Sequence, residues 1–265
     1  MNVNGQLLKV TPAPLTVGVS LKMYFSYART IQWCTRIAEL AEHHEAVQSG
    51  LVDLFVLPTF PAIEEVLRLF SGTRVSVGAQ DLAVEDSGAF TGEVSGALLA
   101  ELGCRYAEVG HAERRRLFQE DDATVVAKTN AALRNGLIPV LCVGEDQPTQ
   151  PEIAAGYCGT QISSALGSST SSAIVAYEPQ WAIGAKEPAE PQYVAEVCDA
   201  LRAHAADGVR LIYGGSAGPG LLTDIAGSVD GLFLGRFAHD PRAVKAILDE
   251  ALALRGGTPP FLVKR

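Results

Sequence analysis

Short apolar runs rich in β-branched and aliphatic residues recur along this chain, with stretches of helical periodicity between them. The runs are Leu15 to Val19, Leu51 to Leu57, Val75 to Val77, Tyr106 to Val109, Leu137 to Val143, Ala173 to Tyr177, Val209 to Ile212 and Gly231 to Leu234. They are continuous rather than alternating, which is the pattern of strands covered on both faces. The spacing over Thr30 to Val47, Asp122 to Asn135, Gln192 to His204 and Pro241 to Leu254 predicts helices between them. One strand and one helix recur about every 30 residues, the length of a βα unit. Eight such units predict a closed (β/α)₈ barrel, a single domain over 1–265 with terminal extensions at 1–14 and 256–265. An open doubly wound sheet is the alternative. It would carry a Gly-rich fingerprint after the first strand, where this chain has Lys22-Met23-Tyr24.

Composition narrows the function. Hydrophobic residues make up 48% of 265, enough for a sizeable core. The net charge of −9 argues against nucleic acid, whose partners usually present a basic face. The dense basic cluster Arg114-Arg115-Arg116 sits beside Glu113, Glu120, Asp121 and Asp122, and predicts a solvated, ion-paired helix start. No window approaches 18 uninterrupted apolar residues, so no membrane span is expected, and the N-terminus lacks a secretory pattern. Five widely spaced cysteines without a CxxC pair fit a reducing cytoplasm, with no zinc site and no disulfide framework.

In such a barrel the chemistry gathers at the C-terminal ends of the strands. There the chain places Ser20-Leu21-Lys22, Gly110-His111-Ala112-Glu113, Glu178, Tyr213-Gly214-Gly215-Ser216 and Gly235-Arg236. Glu178 ends an apolar strand and is followed by Pro179 and the apolar Trp181-Ala182-Ile183-Gly184, the layout of a general base beneath a closing loop. The Gly-rich turns after strands seven and eight suit an anion. Glycine admits close approach, and N–H groups near Gly184, Ser216 and Gly235, with Lys22, could hold a phosphate. Taken singly, each of these residues also has a bland reading, as a rim charge, a helix cap or a tight turn.

The segments together resemble triosephosphate isomerase. The likeness runs from about Val17 to Ala251 and is carried by Lys22-Met23, Gly88-Ala89-Phe90-Thr91-Gly92-Glu93, Gly110-His111-Ala112-Glu113-Arg114-Arg115, Cys142-Val143-Gly144-Glu145, Tyr177-Glu178-Pro179, Trp181-Ala182-Ile183-Gly184 and Tyr213-Gly214-Gly215-Ser216. The resemblance implies a TIM barrel acting as a sugar-phosphate isomerase. Glu178 would be the base, His111 the electrophile, Lys22 the charge that neutralises the substrate and Glu113 its support. Pro179 to Lys186 would be the closing loop. The resemblance thus implies a Glu base and a neutral His beneath a water-excluding loop. The chemistry implied is an enediolate step that moves a carbonyl by one carbon, with no metal or organic cofactor. The Ser87 to Glu93 loop resembles the family's dimer loop, so a homodimer is expected in which Thr91 approaches the neighbour's Lys22 and His111.

Three departures bear on the substrate. The family's Asn-Trp-Lys-Met-Asn is here Ser20-Leu21-Lys22-Met23-Tyr24, Ala112 stands where Ser follows the His, and Arg236 replaces the second glycine of a pair. An arginine there adds a permanent cation of bidentate geometry. These changes resemble the branch of tetritol catabolism that acts on L-erythrulose 1-phosphate. Ser20 would give room and a hydroxyl at the distal end of a four-carbon substrate. Glycolytic conversion of dihydroxyacetone phosphate to glyceraldehyde 3-phosphate is the near alternative. A non-catalytic sugar-phosphate-binding barrel and a Schiff-base aldolase are the distant ones.

Overall fold

The computed structural model describes residues 13–167, 172–184 and 189–256. Eight parallel strands close on themselves in sequence order. They are β1 (Leu15–Ser20), β2 (Val52–Leu57), β3 (Val75–Ala79), β4 (Tyr106–Val109), β5 (Ile138–Val143), β6 (Ile174–Tyr177), β7 (Arg210–Tyr213) and β8 (Gly231–Leu234). The doubly wound alternative is excluded, because β1 pairs with both β2 and β8. Most of the predicted extensions, and Ala185 and Lys186 of the predicted loop, lie outside the described residues.

Each strand splits its side chains between two cores. Val17, Val19, Leu54, Val56, Ala107, Val109 and Tyr177 face the helices. Phe55, Leu57, Tyr106, Val140, Cys142, Ile174, Ala176, Ile212 and Phe233 fill the interior. The strands therefore read as unbroken apolar runs although every second residue points to a different core. In the inner layer Gly18 lies level with Phe55 on one side and Phe233 on the other. A Cβ on Gly18 would collide with the Phe55 ring. The ring is instead free to stack on Tyr106, with 4.4 Å between centroids. At the N-terminal end, Arg210 donates to Thr16 Oγ1 and Asp53 Oδ2, both at 2.8 Å, and Tyr106 OH donates to the same Asp53 oxygen at 2.8 Å. Apolar rings and this polar floor plug the barrel from below, and the polar residues of the upper layer are left to face the mouth.

The helices start where local chemistry caps them. Ser26 Oγ accepts from the Arg29 N–H ahead of Tyr27–His43, and Asp121 Oδ1 accepts from Thr124 ahead of Asp122–Arg134. The predicted helix through Val47 stops earlier. His44 adopts an extended conformation, and its Nδ1 accepts from the Ala46 N–H to cap a separate short turn, Glu45–Gln48. No helix among the described residues is long and apolar enough to cross a membrane.

Candidate active site

Strand alternation delivers the site. In β6, Ala176 points inward and Tyr177 outward, so the next residue, Glu178, points into the mouth of the barrel. Its N–H donates to Val143 O at 2.8 Å, which fixes the backbone there. Gly214, the residue after β7, packs directly against the Glu178 carboxyl, and a Cβ there would strike Oε1. Glu178 is 5% exposed, and its Oε2 has no hydrogen-bond partner. The His111 Nε2 is 3.3 Å from that oxygen but is not aligned to donate to it. Ala112 has no hydroxyl to offer in its place. Burial, with Glu108 and Glu113 nearby, pushes the Glu178 carboxyl up to about 8, although Lys22 works against the shift.

His111 is the cap of the helix Ala112–Phe118. Its Nδ1 accepts from the Glu113 N–H at 3.1 Å. A ring nitrogen that accepts a hydrogen bond carries no proton, so the neutral ring has its proton on Nε2, aimed into the site. Burial, and then the Lys22 charge, lower the His111 pKa to about 4. The ring is therefore a neutral donor across the physiological range.

Lys22 sits in the left-handed region at φ 49°, as does Ser216 at φ 44°, conformations that cost strain for any residue but glycine. Gln80 Nε2 pins the Lys22 turn by donating to Lys22 O and Leu57 O, both at 3.0 Å. The ammonium donates to Glu113 Oε1 at 2.8 Å. Burial alone would lower its pKa, but Glu178, Glu113 and Glu108 outweigh burial and hold it above the ordinary value. Ser20 and Lys22, with His111, Glu178, Gly214 and Gly235, line an inner recess of about 30 Å³. It lies beneath a wide cleft of about 920 Å³, lined in part by Glu113, Gly184, Ser216 and Arg236. Ser216 Oγ donates to Ala182 O at 2.9 Å, tying the turn after β7 to the segment after β6. The Arg236 guanidinium lies beside Gly184 on the cleft wall, 3.5 Å from where a Cβ on that glycine would sit. Gly215 packs on Tyr213 and Pro179 behind this wall. Thr91 is exposed and lines neither of these cavities.

A buried, unpartnered carboxylate, a neutral N–H donor and a fixed ammonium around one recess can remove a proton beside a carbonyl and stabilise the resulting oxyanion. The family model described as triosephosphate isomerase matches residues 15–251. The chain belongs to that family. It is an isomerase, and its relatives divide by substrate. An L-erythrulose-1-phosphate isomerase of Pectobacterium atrosepticum is 55% identical over 91% of this chain and 96% of its own. A second protein of that name, from Rhizobium rhizogenes, is 36% identical over 91% and 97%. A triosephosphate isomerase of Symbiobacterium thermophilum is 41% identical over 80% and 88%.

Two site residues have roles that the sequence did not assign. Glu108 interrupts the apolar run of β4, is 2% exposed, and accepts from Ser20 Oγ at 2.9 Å. A carboxylate in the middle of a four-residue buried strand was the available signal. Burial raises its pKa to about 7, against the influence of Lys22 and Ser20. Glu145, just past β5, gathers the base of the predicted loop. Its Oε1 accepts from Trp181 Nε1 at 2.7 Å and from Tyr193 OH at 3.0 Å. The basic cluster also differs from expectation. Arg115 pairs with Asp122 at the surface, but Arg114 turns inward to Asp81 and Glu120, both buried.

Proposed function

We propose that the protein interconverts L-erythrulose 1-phosphate and its carbonyl-shifted isomer through an enediolate. Glu178 takes the proton from the hydroxyl-bearing carbon next to the carbonyl, on the side away from the phosphate. His111 donates its Nε2–H to the carbonyl oxygen, and Lys22, steadied by Glu113, offsets the negative charge. The proton returns to the neighbouring carbon, and the carbonyl moves one position. N–H groups near Gly184, Gly215, Ser216 and Gly235, together with Arg236, receive the phosphate. The segment from Pro179 to Lys186 closes over it, because an enediol phosphate open to water would lose its phosphate. The isomerase chemistry rests on the unpartnered Glu178 Oε2 at 3.3 Å from the His111 donor. The four-carbon substrate rests on the 55% identity to a protein of that activity, with Ser20 where the family's Asn would fill the recess.

Purified protein should turn over L-erythrulose 1-phosphate faster than dihydroxyacetone phosphate, and Glu178→Ala should abolish both. A preference for the three-carbon substrate would instead make it a triosephosphate isomerase that tolerates Ser20 and Arg236. The Schiff-base alternative is disfavoured because the Lys22 ammonium is held protonated by its carboxylates, and a protonated amine is not a nucleophile.

The assembly proposed is a homodimer. Met23 is 89% exposed, and Phe90, Leu117 and Phe118 also expose their side chains on loops and helix ends near the mouth. Apolar groups so placed favour a partner. Sedimentation should give twice the chain mass, and a fully active monomer on dilution would refute the dimer. Five free, buried thiols fit the proposed cytoplasmic setting.

A further inference from the structure

Glu108 stands on the inner wall of the barrel, and the isomerase steps give it no task. Among the described residues it makes no ion pair with Lys or Arg, although it is a buried carboxylate. Its Oε1 lies 4.0 Å from both His111 Nε2 and Cys142 Sγ, while its Oε2 accepts from Ser20 Oγ at 2.9 Å. An ionised carboxylate can only accept, and a serine hydroxyl has one proton and two lone pairs. The Ser20 proton is therefore committed to Glu108, away from the recess that Ser20 lines. What the hydroxyl shows to that recess is lone pairs. An asparagine amide at the same place would bring two N–H donors and would not be polarised in this way.

We propose that Glu108 is a positioning residue for substrate choice: it fixes the Ser20 hydroxyl as an acceptor for the terminal hydroxyl of a four-carbon ketose phosphate. The inference rests on the four-carbon reading above. A three-carbon substrate carries hydrogen where the four-carbon one carries hydroxymethyl, so it has no donor for Ser20. A substrate with a methyl group there would leave the buried Ser20 oxygen unpaired, and a site built to pair with a hydroxyl rejects such an analogue strongly.

The test compares L-erythrulose 1-phosphate, its 4-deoxy analogue and dihydroxyacetone phosphate at about pH 8.5, above the raised pKa values of Glu108 and Glu178. Wild-type enzyme should prefer the hydroxylated four-carbon substrate over the 4-deoxy analogue by about 10²-fold in kcat/KM. In Glu108→Gln the amide can donate to Ser20 Oγ and turn its proton toward the recess. That variant should lose about 30-fold on L-erythrulose 1-phosphate but only about threefold on dihydroxyacetone phosphate. Ser20→Ala should lose the same preference, and the double variant should be no worse than Ser20→Ala, because the two act as one unit. Equal losses on both substrates in Glu108→Gln would mean a merely structural role and overturn the inference. Should the variants not fold, the wild-type comparison decides alone, and a hydroxyl-to-methyl ratio near one overturns it. Wild-type enzyme that ignores L-erythrulose 1-phosphate sinks the substrate reading and this inference with it. A clear four-carbon preference that survives Glu108→Gln sinks this inference alone.

Discussion

Glu178→Gln is expected to lower kcat by about 10⁴-fold, the upper range for loss of a positioned general base. The substitution keeps the shape of the side chain and removes its ability to take a proton. Neither His111 nor Lys22 beside it can substitute. The His111 Nδ1 lone pair is occupied by the Glu113 N–H, and its Nε2 already carries a proton. Lys22 is protonated and tied to Glu113. The pH dependence should carry the same signature. The folded-state pKa of Glu178 is raised to about 8, so the fraction of enzyme with an ionised base grows as pH rises toward that value. In the parent enzyme kcat/KM should climb along an acid limb with its midpoint near 8, and a profile flat from about pH 6 upward would contradict the raised pKa. Stability moves the other way. A carboxyl whose pKa is raised on folding contributes stability below its ordinary value of 4.5, and that contribution is lost as pH rises through about 8. The uncharged amide of the variant carries no such burden, so the variant should gain stability relative to the parent as the solution becomes alkaline.

The barrel was legible in the sequence because parallel strands covered on both faces leave uninterrupted apolar runs, and these runs fall within two residues of the observed strand ends. The carriers of the site were legible for a related reason. Lys22, His111 and Glu178 each break an apolar run at its C-terminal end, where polarity is otherwise unexplained. Glu108 sits inside such a run, and the run of β4 swallowed it. Its meaning comes from Ser20, 88 residues away, and only closure of the barrel brings the two together. Glu145 was hidden in the same way, because its partners Tyr177, Trp181 and Tyr193 come from the next strand, the loop after it and the following helix. His44 shows the local counterpart. Helical periodicity continues past it, but its ring satisfies the Ala46 N–H and the helix ends there.

Lys128→Met should destabilise the fold by about 3–5 kcal/mol, the cost of leaving buried carboxylates without their cation. The Lys128 side chain is 7% exposed, and its ammonium lies 2.6 and 2.8 Å from the two Asp81 oxygens and 2.6 Å from Glu120 Oε1. Arg114 completes the cluster, with Nη2 at 2.9 Å from Asp81 Oδ2 and Nε at 2.7 Å from Glu120 Oε1. One guanidinium cannot balance two buried carboxylates, and Glu120 Oε2 already lacks a partner. Urea unfolding should show the loss as a lower midpoint with little change in slope. Burial holds the Asp81 pKa above its ordinary value even with Lys128 present, and removing that cation raises it further. The deficit should therefore shrink as acid protonates Asp81, and adding Asp81→Asn to Lys128→Met should recover part of it at neutral pH. A midpoint that does not move would mean that the cluster is open to water. The cluster joins the segment after β3, the helix capped by His111 and the helix Asp122–Arg134. It therefore braces the turn that aims the His111 donor, and a loosened turn should lower kcat while leaving the acid limb set by Glu178 in place.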